Sequence, residues 1–365
     1  MDRESQLYRI ALTFLPTVGD ILLKNLVSYC GGVREVFNAS FTKLKKAPGI
    51  GERRAKEILH NDVLKRAEEE LAFVERNDIS TLFYLDADYP KRLSNCYDNP
   101  ILLYYKGNAD LNAQKVLSIV GTRTATEYGK AVSEQIVEAL AEKQVLIVSG
   151  MAYGIDIYAH RAALKVGLPT VGVFGHGLDI VYPAQHRSTA EKMLSNGGLL
   201  TDFPSKSKFE KGNFPRRNRI VAGLADATIV VETKVKGGSM ITAEIANSYD
   251  RDVFAVPGNI NASNSQGCNY LIKTNRAYLL DEVEELLEIL GWKENTLSPP
   301  VQKQLFLDLN EDETKVVELL KEKPLAIDEL SFRLLMPASL IAANLLNLEL
   351  KGVIRSLPGK VYELA

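Results

Sequence analysis

The stretch "VLSIVG" (residues 116–121) is apolar at every position but Ser118 and closes on a glycine. Four more short, mainly apolar runs follow: "VLIVSG" (145–150) and "TVGVFG" (170–175), which also close on a glycine, and "ATIVVE" (227–232) and "DVFAVP" (252–257), which close on Glu and Pro. They are short and rich in β-branched residues. None alternates polar with apolar, which is the pattern of strands buried on both faces of a parallel sheet. The segments between them are long enough for crossover helices, so residues 76–290 read as an α/β, Rossmann-like doubly wound domain.

On either side of this core the pattern changes. Residues 1–75 carry helical periodicity only, with Ile10, Leu12, Leu15 and then Ile21, Leu22, Leu26 as apolar positions. This front holds a near-repeat, "LPTVGDILLKNLV" at 15 and "APGIGERRAKEIL" at 47, which reads as a paired helix-hairpin-helix or SAM-like unit. The glycine turn of such a hairpin exposes backbone N–H groups that can hold a phosphate. Gly49 and Gly51 fit, with Arg53, Arg54 and Lys56 behind them; Thr17 stands where the second copy has Gly49, so the first turn is expected to be less free. Beyond the core, residues 291–311, including "GWKENTLSPPVQKQ", have no period and read as a linker. Residues 312–365 give three amphipathic helices and a hairpin, the order of a winged helix.

The chain's 365 residues exceed what one hydrophobic core usually organises, and 46% hydrophobic with 25% charged residues is ordinary globular composition. No basic leader followed by an apolar run opens the sequence, so a cytoplasmic protein without membrane partners is expected. Cys30, Cys96 and Cys268 are widely spaced and odd in number, which argues against a disulfide framework. The net charge of −2 leaves nucleic-acid binding to a local patch.

That patch lies in residues 201–220, where Lys206, Lys208, Lys211, Arg216, Arg217 and Arg219 face only Asp202 and Glu210. Phe209 and Phe214 are interleaved with the cations, and aromatic faces beside cations suit stacked, unpaired bases. In "SIVGTRTATEYG" the turn Gly121 and the following Arg123 stand at a strand end just before a helix, a position suited to a phosphodiester. Ser149 and Gly150 end the second buried strand in the same way. Neither GxGxxG nor GxxxxGK[ST] occurs, so no nucleotide cofactor is expected. Ser149, Asp156 and His160 lack the nucleophile-elbow pattern of a hydrolase. The reading instead has Asp156 and His160 paired across one helical turn, with Gly150 and Gly154 allowing close backbone approach. His160, His176, His186 and Cys268 have no metal-ligand spacing.

In order and spacing, "SGMAYGIDIYAHRAAL", "GHGLDIVYPAQHR", "NFPRRNRIVAGLAD", "GGSMITAEIA", "FAVPGN" and "QGCNYLI" resemble the DNA-processing protein A family (DprA, also called Smf). The resemblance runs from about "YPKRL" at 89 to "NRAYLL" at 280, and the helical front and winged-helix tail fit it. It implies a non-enzymatic, dimer-forming protein that binds single-stranded DNA during natural transformation and loads the RecA recombinase while RecA displaces single-strand binding protein. Carried over, the DNA groove would comprise Gly121, Arg123, Ser149, Gly150, Phe214, Arg216, Arg217, Asn218, Arg219, Gly237, Gly238 and Ser239. "LLTDFP", "KGGSMIT" and "KTNRAYLL" depart from the family pattern. A second resemblance, of "GGSMITAEIA" to the signature of phosphoribohydrolases acting on nucleoside monophosphates, would make Glu244 a catalytic acid, but Lys236 and Ile241 break that signature. The third reading is a duplex-DNA regulator acting through the winged helix.

Overall fold

The computed structural model describes residues 2–60, 62–293 and 309–364. Nine strands form the central sheet: β1 (Ser80–Phe83), β2 (Leu102–Gly107), β3 (Val116–Val120), β4 (Leu146–Ser149), β5 (Thr170–Val173), β6 (Gly197–Thr201), β7 (Ala227–Val230), β8 (Asp252–Ala255) and β9 (Tyr278–Leu279). Their order is β1-β2-β6-β5-β4-β3-β7-β8-β9. From β6 through β9 all neighbours are parallel, whereas β1 and β2 add an antiparallel edge. The five apolar runs are β3, β4, β5, β7 and β8, and the middle of the sheet is buried on both faces as their composition requires. Leu117, Ile119, Ile147 and Ile229 are fully buried, each worth roughly 1.5–3 kcal/mol of transfer free energy.

The front of the chain folds into six helices from Arg3 to Arg76. Its core of Ile10, Leu12, Leu26, Leu44 and Leu71 continues into Phe83, Ile101, Leu102 and Tyr104, so the antiparallel edge of the sheet packs against the helical front. Both hairpin turns take the left-handed conformation, at φ 62° for Thr17 and 78° for Gly49. Thr17 is thus not excluded from the turn by its side chain; its hydroxyl donates to Glu57 at 2.6 Å. The cations behind the second hairpin are engaged within the front: Arg53 with Glu57, Lys56 with Glu52, and Arg54 with the carbonyls of Thr17 and Gly49. The helix after the first hairpin, Asp20–Cys30, turns its start toward the sheet domain, where the Asp20 carboxylate accepts from the Ile101 N–H at 3.1 Å.

The last unit has helices Glu311–Leu320, Ile327–Leu334 and Ala338–Leu350, then the hairpin Ile354–Leu357 and Val361–Leu364. A short strand, Leu325–Ala326, adds to the hairpin and completes a winged helix around Val316, Leu320, Leu330, Ile341, Leu345 and Leu348. Asn310 and Glu313 form a reciprocal capping box at its first helix. Most of the expected linker, residues 294–308, lies outside the described residues. All three cysteines are buried and free. Among the described residues no single helix is long and apolar enough to cross a membrane.

Candidate nucleic-acid interface

The chain leaves β3 toward β4, β5 and β6 on one side and returns to its other side as β7, so the sheet has its switch point between β3 and β7. Open α/β sheets receive ligands outside the carboxyl ends of their strands at this point. A cleft of about 570 Å³ lies there. Its walls come from Gly121 to Arg123 after β3, Gly150, Ala152 and Asp156 after β4, and Thr233 to Ser239 after β7. The first turns of the helix Asn213–Leu224 close it with Phe214, Arg217 and Asn218.

Two helices begin in this cleft with no side chain on their free N–H groups: Asn213–Leu224, and Gly238–Ser248 behind Gly237. Such ends attract anions. The Ser239 hydroxyl is buried at the second of them and has no hydrogen-bond partner among the described residues. Glu232, just past β7, ties down the segment that follows β3, accepting from the Thr126 N–H at 2.9 Å and its hydroxyl at 2.6 Å. Around these groups stand Arg123, Lys211, Arg217, Lys234 and Lys236, against one carboxylate, Asp156. Arg123, Lys211, Lys234 and Lys236 are exposed, and none has an ion pair among the described residues.

Arg217 lies beneath the floor of the cleft, buried, and donates to the carbonyls of Gly150 and Val173. A Cβ on Gly150 would fall 2.5 Å from this guanidinium, so glycine is required there to admit it. Burial draws Arg217 down to about 10, with nearby Asp156 opposing, and it stays charged at neutral pH. Burial likewise raises Asp156, which accepts from the N–H groups of Gly150 at 3.1 Å and Ala152 at 3.3 Å and so shapes the loop after β4. Gly154, at φ 77°, lets that loop approach the Thr122 carbonyl, which a Cβ would meet at 2.1 Å. At the mouth, the Arg123 guanidinium lies over the Phe214 ring, 5.3 Å from its centre.

Nine of the twelve site residues expected from sequence therefore line one cleft: Gly121, Arg123, Gly150, Phe214, Arg217, Asn218, Gly237, Gly238 and Ser239. Three do not. Ser149 is fully buried, its hydroxyl donating to the Ile119 carbonyl at 2.6 Å. Arg219 points away from the cleft to Asp202 at 2.7 Å and Asp20 at 2.9 Å. Burial opposes its charge, and the two carboxylates outweigh burial, holding the guanidinium above its ordinary value. Arg216 is half exposed but also set against Asp202, at 3.3 Å, with its guanidinium over Phe203. Lys206 pairs with Glu69 at 3.3 Å, so much of the apparent excess charge of residues 201–220 is cancelled by partners distant in sequence.

The expected pairing of Asp156 with His160 does not form, because Asp156 is occupied by the loop amides while His160 Nδ1 meets the Thr170 hydroxyl at 2.7 Å. Sequence reading counted Lys211 in the basic patch but did not place Lys234 or Lys236 in the site. Their signal was available: Lys234 and Lys236 directly precede the Gly237-Gly238 turn. Glu244 lies outside the cleft, its side chain 56% exposed and 3.7 Å from Arg276. Among the described residues no cluster of His, Cys, Asp and Glu could hold a metal ion.

The fold and cleft define a Rossmann-like protein with a cation-lined, anion-receiving crevice, flanked by a helical front and a winged helix. The sequence profile for DNA recombination-mediator protein A matches residues 80–291, and that for the DprA winged helix domain matches residues 301–360. The chain is 31% identical to protein Smf of Synechocystis over 399 aligned positions, covering 100% of both chains. It is similar to the X-ray structure of DNA processing protein A from Streptococcus pneumoniae, with a TM-score of 0.67 at 31% identity over 79% of this chain and 98% of that one. It is also similar to DNA processing protein A from Helicobacter pylori, whose structure was described for its single-stranded DNA binding mode. There the TM-score is 0.53 at 30% identity, over 58% of this chain and 95% of that one. The chain belongs to the DprA/Smf family of DNA recombination mediators.

Proposed function

We propose that this protein binds single-stranded DNA without sequence preference and loads the RecA recombinase onto it during DNA uptake in natural transformation. The observation that carries the reading is the cleft itself: four exposed cations without ion pairs among the described residues, two uncapped helix starts and the Phe214 ring converge at the sheet's switch point. Cations and helix N-termini bind the phosphates common to every strand, and the ring accepts the face of any base. Transfer of the strand to RecA with displacement of single-strand binding protein, a homodimeric assembly and action in the cytoplasm are parts of the same proposal, and membership in a mediator family supports the first of them. The protein acts by binding and needs no nucleotide cofactor. The position of Glu244 outside the cleft argues against a phosphoribohydrolase. The test is binding to single-stranded and duplex DNA of one sequence across a salt series. Single strands should bind more tightly at every salt concentration, with affinity falling as salt rises; equal or tighter duplex binding would overturn the reading.

A further inference from the structure

Beside the cleft lies an aromatic surface that the phosphate contacts do not use. Tyr182 and Phe209 are 48% and 45% exposed, and they are not scattered rings. Their centres are 4.5 Å apart, and they stand 6.5 Å and 5.5 Å from Phe214, which also lies under the Arg123 guanidinium. The three rings therefore form one cluster at the mouth of the cleft. Its underside is solid: Phe209 is stacked on the buried His176 ring at 5.5 Å, and His176 rests on Phe174 at 4.7 Å. The loop carrying Phe209 is tied down at its start, where Ser205 is held by Glu70 and the Lys206 N–H by Asp179. Lys208 and Lys211 flank Phe209 in sequence, are exposed, and have no ion pair among the described residues.

We propose that Tyr182 and Phe209 form a second subsite that stacks an unpaired nucleobase of a strand whose phosphates lie in the cleft. This rests on the single-strand reading above. A fixed, half-exposed ring pair loses little conformational freedom on binding, and its π-faces accept every base alike. The flanking lysines supply the charge complementarity that a nucleic-acid backbone requires and that an apolar protein contact does not. Stacking of this kind gives the site affinity for bases, beyond its affinity for phosphates, without sequence preference.

The test compares a dT20 strand with a strand of the same length and phosphate count made of abasic nucleotides. The parent protein should prefer dT20. The double variant Tyr182→Ala/Phe209→Ala should bind dT20 at least about tenfold more weakly, within the range known for loss of base stacking. Its affinity for the abasic strand should match the parent's, which also shows that the cleft remains folded, and Phe209→Tyr should retain dT20 binding. Equal loss on both strands would mean that the rings only support the cleft and would overturn the subsite. Unchanged dT20 binding would overturn it too and leave the patch as a protein-facing surface. If the parent itself favours duplex over single strands, it is the underlying functional reading that fails, and the parent alone reveals it.

Discussion

Arg219 and Asp20 lie 199 residues apart in the chain and meet at 2.9 Å, joining the helix that closes the cleft to the helical front. One face of the helix Asn213–Leu224 thus presents Phe214, Arg217 and Asn218 to the cleft, while Arg219 is locked between Asp20 and Asp202. Removing one member of a buried ion network leaves the others uncompensated, at a cost of about 3–5 kcal/mol. Arg219→Met should therefore lower the stability measured by urea unfolding by roughly that amount. Asp20→Asn should cost clearly less, since Arg219 keeps Asp202. Equal losses from the two variants would show that Asp202 does not hold the arginine.

Arg123 and Arg216 were equivalent as sequence and are not equivalent in structure. Arg123 has no carboxylate partner among the described residues, whereas Arg216 is already set against Asp202. Arg123→Glu should weaken binding to all single strands alike, by tenfold or more, because it replaces a phosphate-facing cation by an anion. Arg216→Gln should lose less than about threefold. Fluorescence anisotropy with strands of different sequence checks both, and a larger effect at Arg216 would relocate the binding path.

Lys234 and Lys236 stand directly before the uncapped helix start at Gly237. Each cation that neutralises a phosphate on a single strand contributes about 0.7 to the slope of log affinity against log salt. Replacing both with Gln should make that slope shallower by roughly 1.4. A weaker affinity with an unchanged slope would mean that these lysines act on the fold of the turn and not on phosphate.

Much of the site was legible because its residues follow directly on buried strands. Gly121 and Arg123 come after "VLSIV" and Gly150 after "VLIVS", so the strand pattern itself carried them to the sheet's carboxyl edge. Arg219 falls outside the cleft because it pairs with Asp20 of the helical front, which a run of cations in sequence does not reveal. Strand β6 was missed for a local reason: it begins Gly197-Gly198, poor strand formers, yet a Cβ on Gly198 would strike the Tyr105 ring at 2.5 Å. Strand β9 is two exposed residues long, too short for any period to register.

His160 gives a pH dependence that needs no ligand. The Thr170 hydroxyl donates to the Ile147 carbonyl, so it accepts from a protonated His160 Nδ1 and leaves Nε2 bare, buried and without a partner among the described residues. Burial draws this imidazole down to about 3. Below the ordinary value of 6.5 the unfolded chain takes up a proton that the folded chain refuses, so this group's contribution to stability falls as pH drops from 6.5 toward 3. Over two pH units the loss is about 2–3 kcal/mol. His160→Asn, which can still donate to Thr170, should flatten the decline between pH 6.5 and 4.5 by that order in urea unfolding. A curve parallel to the parent's would show that His160 does not titrate on unfolding.

The winged helix is expected to contribute little to single-strand affinity. A DNA-reading winged helix directs Arg, Lys, Asn or Gln of its third helix to base edges, supported by cations on phosphate. The third helix here, Ala338–Leu350, carries no Lys or Arg; of its two asparagines Asn344 is buried inside the unit and Asn347 alone is exposed. Lys351, which follows it, is held by Glu313 at 2.7 Å. Residues 311–365 contain nine acidic and seven basic side chains, so the unit as a whole repels a phosphate backbone slightly. Of the helix's large apolar residues, Ile341, Leu345 and Leu348 fill the core, while Leu340, Leu346 and Leu350 are exposed along with Phe332, a surface suited to protein contact. Its ion pair to the sheet domain, Lys360 with Asp250, is exposed on both sides and worth little to the fold of the cleft. A chain ending at residue 300 should bind single strands within about threefold of the parent, roughly 0.7 kcal/mol. A loss of tenfold or more, with the sheet domain's unfolding transition unchanged, would place the tail on the DNA and remove the case for protein contact.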